Sequence, residues 1–424
     1  MLVPLLAAAA CPAPPPLAAP RPDRPRYALD VRVEPGFRRV RGNVRVRFTA
    51  NRPTDRLVFR LWPNGPMQRA KGQRLDVGAV TAKGRRLSSS RPDPTTLVVQ
   101  LGRRLAVGES VAAALPWTLR VPPRSVDRIA SFVGGLRLGS FFPILAWDPD
   151  RGWVTDPPAP FLAESSTTPT ADFDVRVRAP RGARVLVSGD RVGGGVWHAR
   201  AVRDVAIAVG RFRVRSVTVR APLPVTVRVA VGGSSAVGAA NALRLATTSL
   251  VRLSRLYGSY PWRTYTVVFP PDLHREGIEY PTLVFVGDVF TRPIVAHETA
   301  HQWFYSLVGN DQYRDPWLDE ALATWAQVRL TGPFEPGPSL ASIRHVGAPM
   351  GYWTGHPRRY FREVYAGGVM ALRSLGPASR VDCALRLYVA RNAYRIAKPG
   401  DLLDALNAVF PGAEPKLRRF GIRR

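Results

Sequence analysis

The pentad His297-Glu298-Thr299-Ala300-His301, with Glu320 further along, constrains this chain more than any other stretch, because it makes sense only if two helices lie side by side. Residues four apart share one helical face, so His297 and His301 can present two imidazoles to one ion. Glu298 lies about 100° round the helix and points past the ion, where a base acting on a bound water belongs. Catalytic zinc usually takes three protein ligands and leaves a fourth position open, so a third donor is needed. Pro293 in a first turn, with Thr291 as cap, starts a helix expected to run through Gln302-Trp303-Phe304-Tyr305. Val308-Gly309-Asn310-Asp311 breaks it, and Asp315-Pro316 starts a second helix to about Leu330, with Glu320 about one turn inside. A short connection packs the two together and returns Glu320 to the histidines. Two of only six histidines in the chain fall in the pentad. The expectation is one zinc ion per chain, held by His297, His301 and Glu320, with Glu298 as general base.

Four motifs in order resemble the aminopeptidase N family of gluzincin zinc metallopeptidases. They are His297 to Phe304 with Trp317-Leu318-Asp319-Glu320; Gly277-Ile278-Glu279-Tyr280-Pro281; Tyr260-Pro261-Trp262; and Tyr365-Ala366-Gly367-Gly368. The resemblance runs from about Tyr27 to the C-terminus and implies a short form without the C-terminal helical-repeat domain. It implies that Glu298 moves a proton from the zinc-activated water to the leaving amine. Tyr365 would stabilise the oxyanion, a contribution worth roughly 3 kcal/mol for comparable donors. Glu279 would bind the free amino terminus of a peptide, and the backbone near Gly277 would line the substrate. Departures from the family pattern are Glu276 for a glycine, Ile278 for a methionine, and Tyr305-Ser306 for Gly-Asn. Ala321-Leu322 also replaces Gly-Phe, and Ala366-Gly367 replaces Glu-Lys. None removes a ligand or a proton-transfer group. The other readings are a catalytically weak or silent surface lipoprotein that binds peptides, and a zinc hydrolase with endopeptidase or non-peptide specificity.

The rest of the chain divides by pattern. Residues 27–215 alternate apolar and polar, as in Tyr27-Ala28-Leu29-Asp30-Val31-Arg32-Val33, and predict an N-terminal antiparallel β-sandwich. The aromatic run Phe141 to Trp147 reads as its core. Residues 216–424 predict a thermolysin-like mixed α/β, mainly helical catalytic domain, with a helix over Ala239 to Tyr257 and a late helix opening at Asp401. His198, His345 and His356 read as surface or packing residues, and His274 as no more than a neighbour of the cleft.

Residues 1–26 read as a signal peptide and a Pro/Ala-rich tether. The apolar run before Cys11 resembles a bacterial lipoprotein signal, which predicts a lipidated Cys11, membrane-surface attachment and an extracytoplasmic, cell-surface or secreted location. Cys383 is expected as a buried thiol, with no disulfide. The formal charge is +30, but only Lys71, Lys83, Lys398 and Lys416 among 61 basic residues are lysines. The arginines are spread along alternating strand positions rather than blocked together. No specific nucleic-acid binding is expected, and peptides with a free amino terminus are the expected substrates.

Overall fold

The computed structural model describes residues 11–123, 127–160, 167–233, 235–332 and 342–424. The signal-like segment 1–10 lies outside the described residues. Two domains follow one another, each with its own core.

In the first, Arg26–Val33 buries Tyr27, Leu29, Val31 and Val33 and exposes the residues between them, as strict alternation demands. It pairs antiparallel with Arg39–Thr49, which pairs antiparallel with Ser110–Arg120. These strands belong to a nine-stranded sheet that packs with two four-stranded sheets. One pairing departs from the antiparallel expectation: Arg26–Val33 lies parallel to Ala171–Arg178. Phe141, Phe142, Ile144, Leu145 and Trp147 are all buried in this core, as their sequence predicts.

The boundary expected at position 215 falls inside a strand. Phe212–Arg220 straddles position 215 and pairs antiparallel with Pro224–Gly232. That strand passes through helix Ala239–Tyr257 into the parallel strand Thr264–Phe269, a βαβ crossover. The helix buries Ala242, Ala246, Leu250, Leu253 and Tyr257, a single stripe at helical spacing. Truncating either leucine to alanine would cost about 2–5 kcal/mol. Gly258, at φ 107°, ends the helix, and its N–H bonds the Ser254 carbonyl at 3.1 Å. Leu283–Val286 adds parallel to Thr264–Phe269, and Gly277–Ile278 closes the sheet edge antiparallel. Helices from Thr291 onward cover this sheet. Asp401 lies in helix Pro399–Val409, where its carboxylate accepts the Lys398 N–H at 2.7 Å. Among the described residues no helix is long and apolar enough to cross a membrane.

The cysteine expectation is overturned. Cys11 is disulfide-bonded to Cys383 in helix Ala378–Asn392, with Cα atoms 5.8 Å apart. The Pro-rich segment is a strap rather than a free tether. Leu17 and Ala18 pack on the second core, and the Ala18 N–H donates to the Ala390 carbonyl at 3.1 Å. That docking brings Cys11 to the helix that carries Cys383.

Candidate metal and peptide site

The pentad occupies the end of helix Thr291–Ala300. Thr291 is its first residue rather than its cap, and its hydroxyl donates to the Asp288 carbonyl at 3.3 Å. The helix stops sooner than the sequence suggested. His301 closes it, and 301–308 continue as turns. Tyr305 has φ 120°, so the helix cannot pass through it. This is where the resembled family carries glycine, and the glycine-like backbone persists under a tyrosine side chain. The second helix, Trp317–Thr331, agrees with expectation and buries Asp319 and Glu320 in its first turn.

The three expected donors converge. His297 Nε2 lies 3.2 Å from Glu320 Oε2 and 3.0 Å from His301 Nε2, and His301 Nε2 lies 3.7 Å from Glu320 Oε2. Bonds of about 2.0–2.2 Å to a tetrahedral zinc ion separate donors by roughly 3.3–3.6 Å, so the donor set fits zinc. Glu298 also brings a carboxylate oxygen within 4.8 Å of the histidine donors. Glu320 stands nearer to both imidazoles and is the better candidate for third ligand, which leaves Glu298 beside the donor set.

Neighbouring groups orient the donors. His301 Nδ1 faces two acceptors, Asp319 Oδ1 at 2.7 Å and the Phe304 carbonyl at 3.1 Å. The proton therefore belongs on Nδ1, and the Nε2 lone pair points into the site. Gln312 Nε2 fixes the other Asp319 oxygen at 2.7 Å. Burial alone would lower the His301 pKa, but the charge and hydrogen bond of Asp319 outweigh it and raise it. Tyr265 donates to Thr299 Oγ1 at 2.8 Å, because that hydroxyl already donates to the Val295 carbonyl. The zinc helix is thereby fastened to the sheet.

Glu298 is 4% exposed, and its Oε2 has no hydrogen-bond partner among the described residues. Burial pushes its carboxyl well above the usual range; His301 opposes this, while Glu279 and Glu320 add to it. Its carboxylate lies against Gly277, where a Cβ would fall 2.1 Å from Glu298 Oε1. The glycine is there for that approach. Tyr365 lies in a π-helical turn, Phe361–Ala366, stacks on His297 at 5.8 Å, and hydrogen-bonds Glu320. Beside it, Gly368 meets Ala321, whose Cβ would lie 2.2 Å from a Cβ at 368.

All seven expected site residues line one cavity of about 480 Å³: Gly277, Glu279, His297, Glu298, His301, Glu320 and Tyr365. His274 is instead mostly exposed and pairs with Asp288. The other three histidines lie away from the cavity. Sequence reasoning missed Asp319 as the partner of His301, although it adjoins Glu320. It also missed Gln302, which donates to the Tyr280 carbonyl at 3.0 Å and accepts the Thr282 N–H at 2.8 Å. That side chain ties the zinc turn to the Glu279 strand. Arg128, from the first domain, was missed as well; its Nη2 donates to Glu279 Oε1 at 3.1 Å.

Comparison with known proteins agrees with this geometry. Residues 251–348 match the peptidase family M1 domain. The matched stretch contains the whole candidate donor set, so this part of the chain resembles an M1 peptidase domain. Over 84 residues it is 43% identical to aminopeptidase RNPEPL1 of Mus musculus, covering 18% of this chain and 12% of that protein. Aminopeptidase B of Rattus norvegicus is 36% identical over 84 residues, 18% of this chain and 13% of the relative. The chain thus spans only about an eighth of the length of these curated relatives. Similarity to solved structures extends much further. A two-domain M1 zinc metallopeptidase variant bound to L-arginine superposes with a TM-score of 0.69 and 21% identity, over 95% of this chain and 94% of that one. A variant from Deinococcus radiodurans bound to a Tyr-Ser-Ala substrate gives 0.67 and 21%, over 95% of each chain. At that identity the likeness establishes the fold alone: a β domain followed by an α/β domain.

Proposed function

We propose that the protein is a zinc aminopeptidase that removes single residues from the amino ends of peptides. The observation that carries the reading is a buried carboxylate, Glu279, on the sheet edge of the cavity that holds the two-histidine, one-glutamate donor set. A carboxylate there pairs with an ammonium and fixes which peptide bond reaches the ion.

His297, His301 and Glu320 would hold the zinc ion, which when bound polarises water and the scissile carbonyl. Glu298 accepts the proton of the attacking water and passes it to the leaving amine; its raised pKa suits a group that must both take and return a proton. Tyr365 offers its hydroxyl to the oxygen that becomes negative. The edge strand Gly277–Ile278 presents backbone to an extended peptide.

The test measures zinc content and hydrolysis of free and amino-acetylated peptides by wild type, Glu298→Gln and Glu279→Ala. The proposal expects one zinc ion per chain and cleavage of the free peptide only. Glu298→Gln should abolish turnover and keep zinc. Equal cleavage of both peptides would make this an endopeptidase, and binding without cleavage would make it a peptide-capture protein.

We also propose an extracytoplasmic location, supported by the Cys11–Cys383 bond, since such bonds persist in oxidising compartments. Lipidation at Cys11 would use the same sulfur, so anchored and disulfide-bonded chains are alternatives. Peptide mapping without reductant of protein from its native host distinguishes a Cys11–Cys383 cross-link from a lipid-modified Cys11.

A further inference from the structure

The amine end of the cavity is not built by the catalytic domain alone. Arg128 reaches it from a turn of the β domain and pairs with Glu279 at 3.1 Å, with both side chains largely buried. The turn is held from behind by Arg137, which is fully buried. Arg137 Nη1 donates to the Asp127 carbonyl at 2.5 Å, and its Nε pairs with Asp272 of the catalytic domain at 3.0 Å. The Arg128 guanidinium also lies over the Tyr280 ring, 5.6 Å from its centroid. Behind that ring the contacts continue. Ser140 Oγ donates to Asp204 Oδ2 at 2.9 Å, so Tyr280 must donate to Ser140 across 3.0 Å. Gly139 leaves room for this ring, since a Cβ there would fall 2.2 Å from the Tyr280 hydroxyl oxygen. Arg128 is thus fixed on several sides before any peptide arrives.

The site around Glu279 is crowded with negative charge, because Glu298 and Glu320 line the same cavity. A buried carboxylate with no cation beside it would turn away from its like-charged neighbours. That change would spoil it as an ammonium receptor. We propose that Arg128 is a positioning residue for amine recognition, which holds the Glu279 carboxylate in the orientation that receives the substrate ammonium. The proposal rests on the aminopeptidase reading. Arg128 pairs with Glu279 and acts through it, so its removal should weaken amine binding and leave bond cleavage largely intact.

The experiment is a double-mutant cycle of Arg128→Ala and Glu279→Gln on the zinc-loaded full chain, with Arg128→Lys as the conservative variant. Each protein is assayed for kcat and KM on an aminoacyl arylamide. Each is also assayed for inhibition by an α-amino hydroxamate and by acetohydroxamate, which binds zinc but lacks the amine. Arg128→Ala should raise KM and weaken the amino hydroxamate about tenfold or more, change kcat less than about threefold, and leave acetohydroxamate unchanged. Arg128→Lys should recover part of the loss. In the Glu279→Gln background, Arg128→Ala should have little further effect. Multiplicative effects of the two substitutions, or equal loss of both hydroxamates, would overturn the proposal. If Glu279→Gln itself leaves the free-amine substrate unaffected, the aminopeptidase reading fails instead.

Discussion

Gly277→Ala tests the placement of Glu298, the proposed base, without touching a proposed metal ligand or an ionisable group. A Cβ at 277 would lie 2.1 Å from Glu298 Oε1, 2.3 Å from its Cδ and 2.5 Å from its Cγ. Ordinary contact needs roughly 3.4 Å or more, so the carboxylate must retreat by about 1.3 Å. Glu298 is buried, and Glu279 and Glu320 repel it, so it has no equivalent position to take. A displacement of about 1 Å in a catalytic group costs on the order of 10²-fold in rate, or about 2.7 kcal/mol of transition-state stabilisation. Folding should lose about 1–3 kcal/mol, the usual cost of forcing a methyl group into a packed site. The assay is kcat and KM on an aminoacyl arylamide, with zinc content by mass spectrometry and stability by urea unfolding. The expected variant binds zinc and substrate normally and turns over about a hundredfold more slowly. A kcat within threefold of wild type would refute the reasoning. So would loss of zinc, since the damage would then lie in the donor set.

Three further substitutions follow from buried groups. Asp319→Ala removes the acceptor that orients His301 and should weaken zinc about 10–100-fold, read by competition with a chelator; unchanged affinity would deny Asp319 that role. Arg203 is fully buried with its pKa lowered to about 10 by burial, and it donates to the carbonyls of Tyr305 at 2.8 Å, Thr168 at 3.0 Å, Leu307 at 3.4 Å and Arg395. Arg203→Met strands those acceptors and should cost about 3–5 kcal/mol in urea unfolding, and a loss below about 1 kcal/mol would contradict it. Burial raises Asp204 to about 7, so the native state keeps a proton that the unfolded chain releases near pH 4. Stability from this group is therefore full below about pH 4 and declines by up to about 1.4 kcal/mol per pH unit until about pH 7. Asp204→Asn should flatten that decline in unfolding measured across the same range, and an unaltered slope would disprove it.

What could be read from the sequence was local or periodic. The four-residue interval of His297 and His301 fixes their common face whatever surrounds them, and Pro316 with Glu320 marks a second helix by rules that act within one turn. The alternation of Tyr27 to Val33 likewise announces a strand with one buried side. Sheet partners are a different matter. Nothing in Arg26–Val33 says that one neighbour is Arg39–Thr49 and the other, parallel, is Ala171–Arg178. Pairing across so many residues depends on the whole sandwich closing, not on either strand's composition.

The unread part of the site has the same cause and sharpens it. Arg128 meets Glu279 across 151 positions, and Cys11 meets Cys383 across 372, so neither pair shares a motif. In a chain where nearly every basic residue is arginine, one arginine carries no mark of its partner. The departures from the family pattern behave differently, because they leave a trace in the backbone. Tyr305 keeps a φ of 120°, a conformation that costs a non-glycine residue about 1–3 kcal/mol. Its surroundings must therefore hold it there. They do so through Arg203, whose Nε fixes the Tyr305 carbonyl at 2.8 Å, and through the Val308 carbonyl, which accepts the Tyr305 N–H at 2.9 Å. The same guanidinium would meet a Cβ at Gly309, 2.2 Å from its Cζ. The glycine four residues beyond Tyr305 is thus required by the arginine that holds the turn. Without that clamp the turn after His301 would relax toward helix, and it would carry the Phe304 carbonyl away from His301 Nδ1.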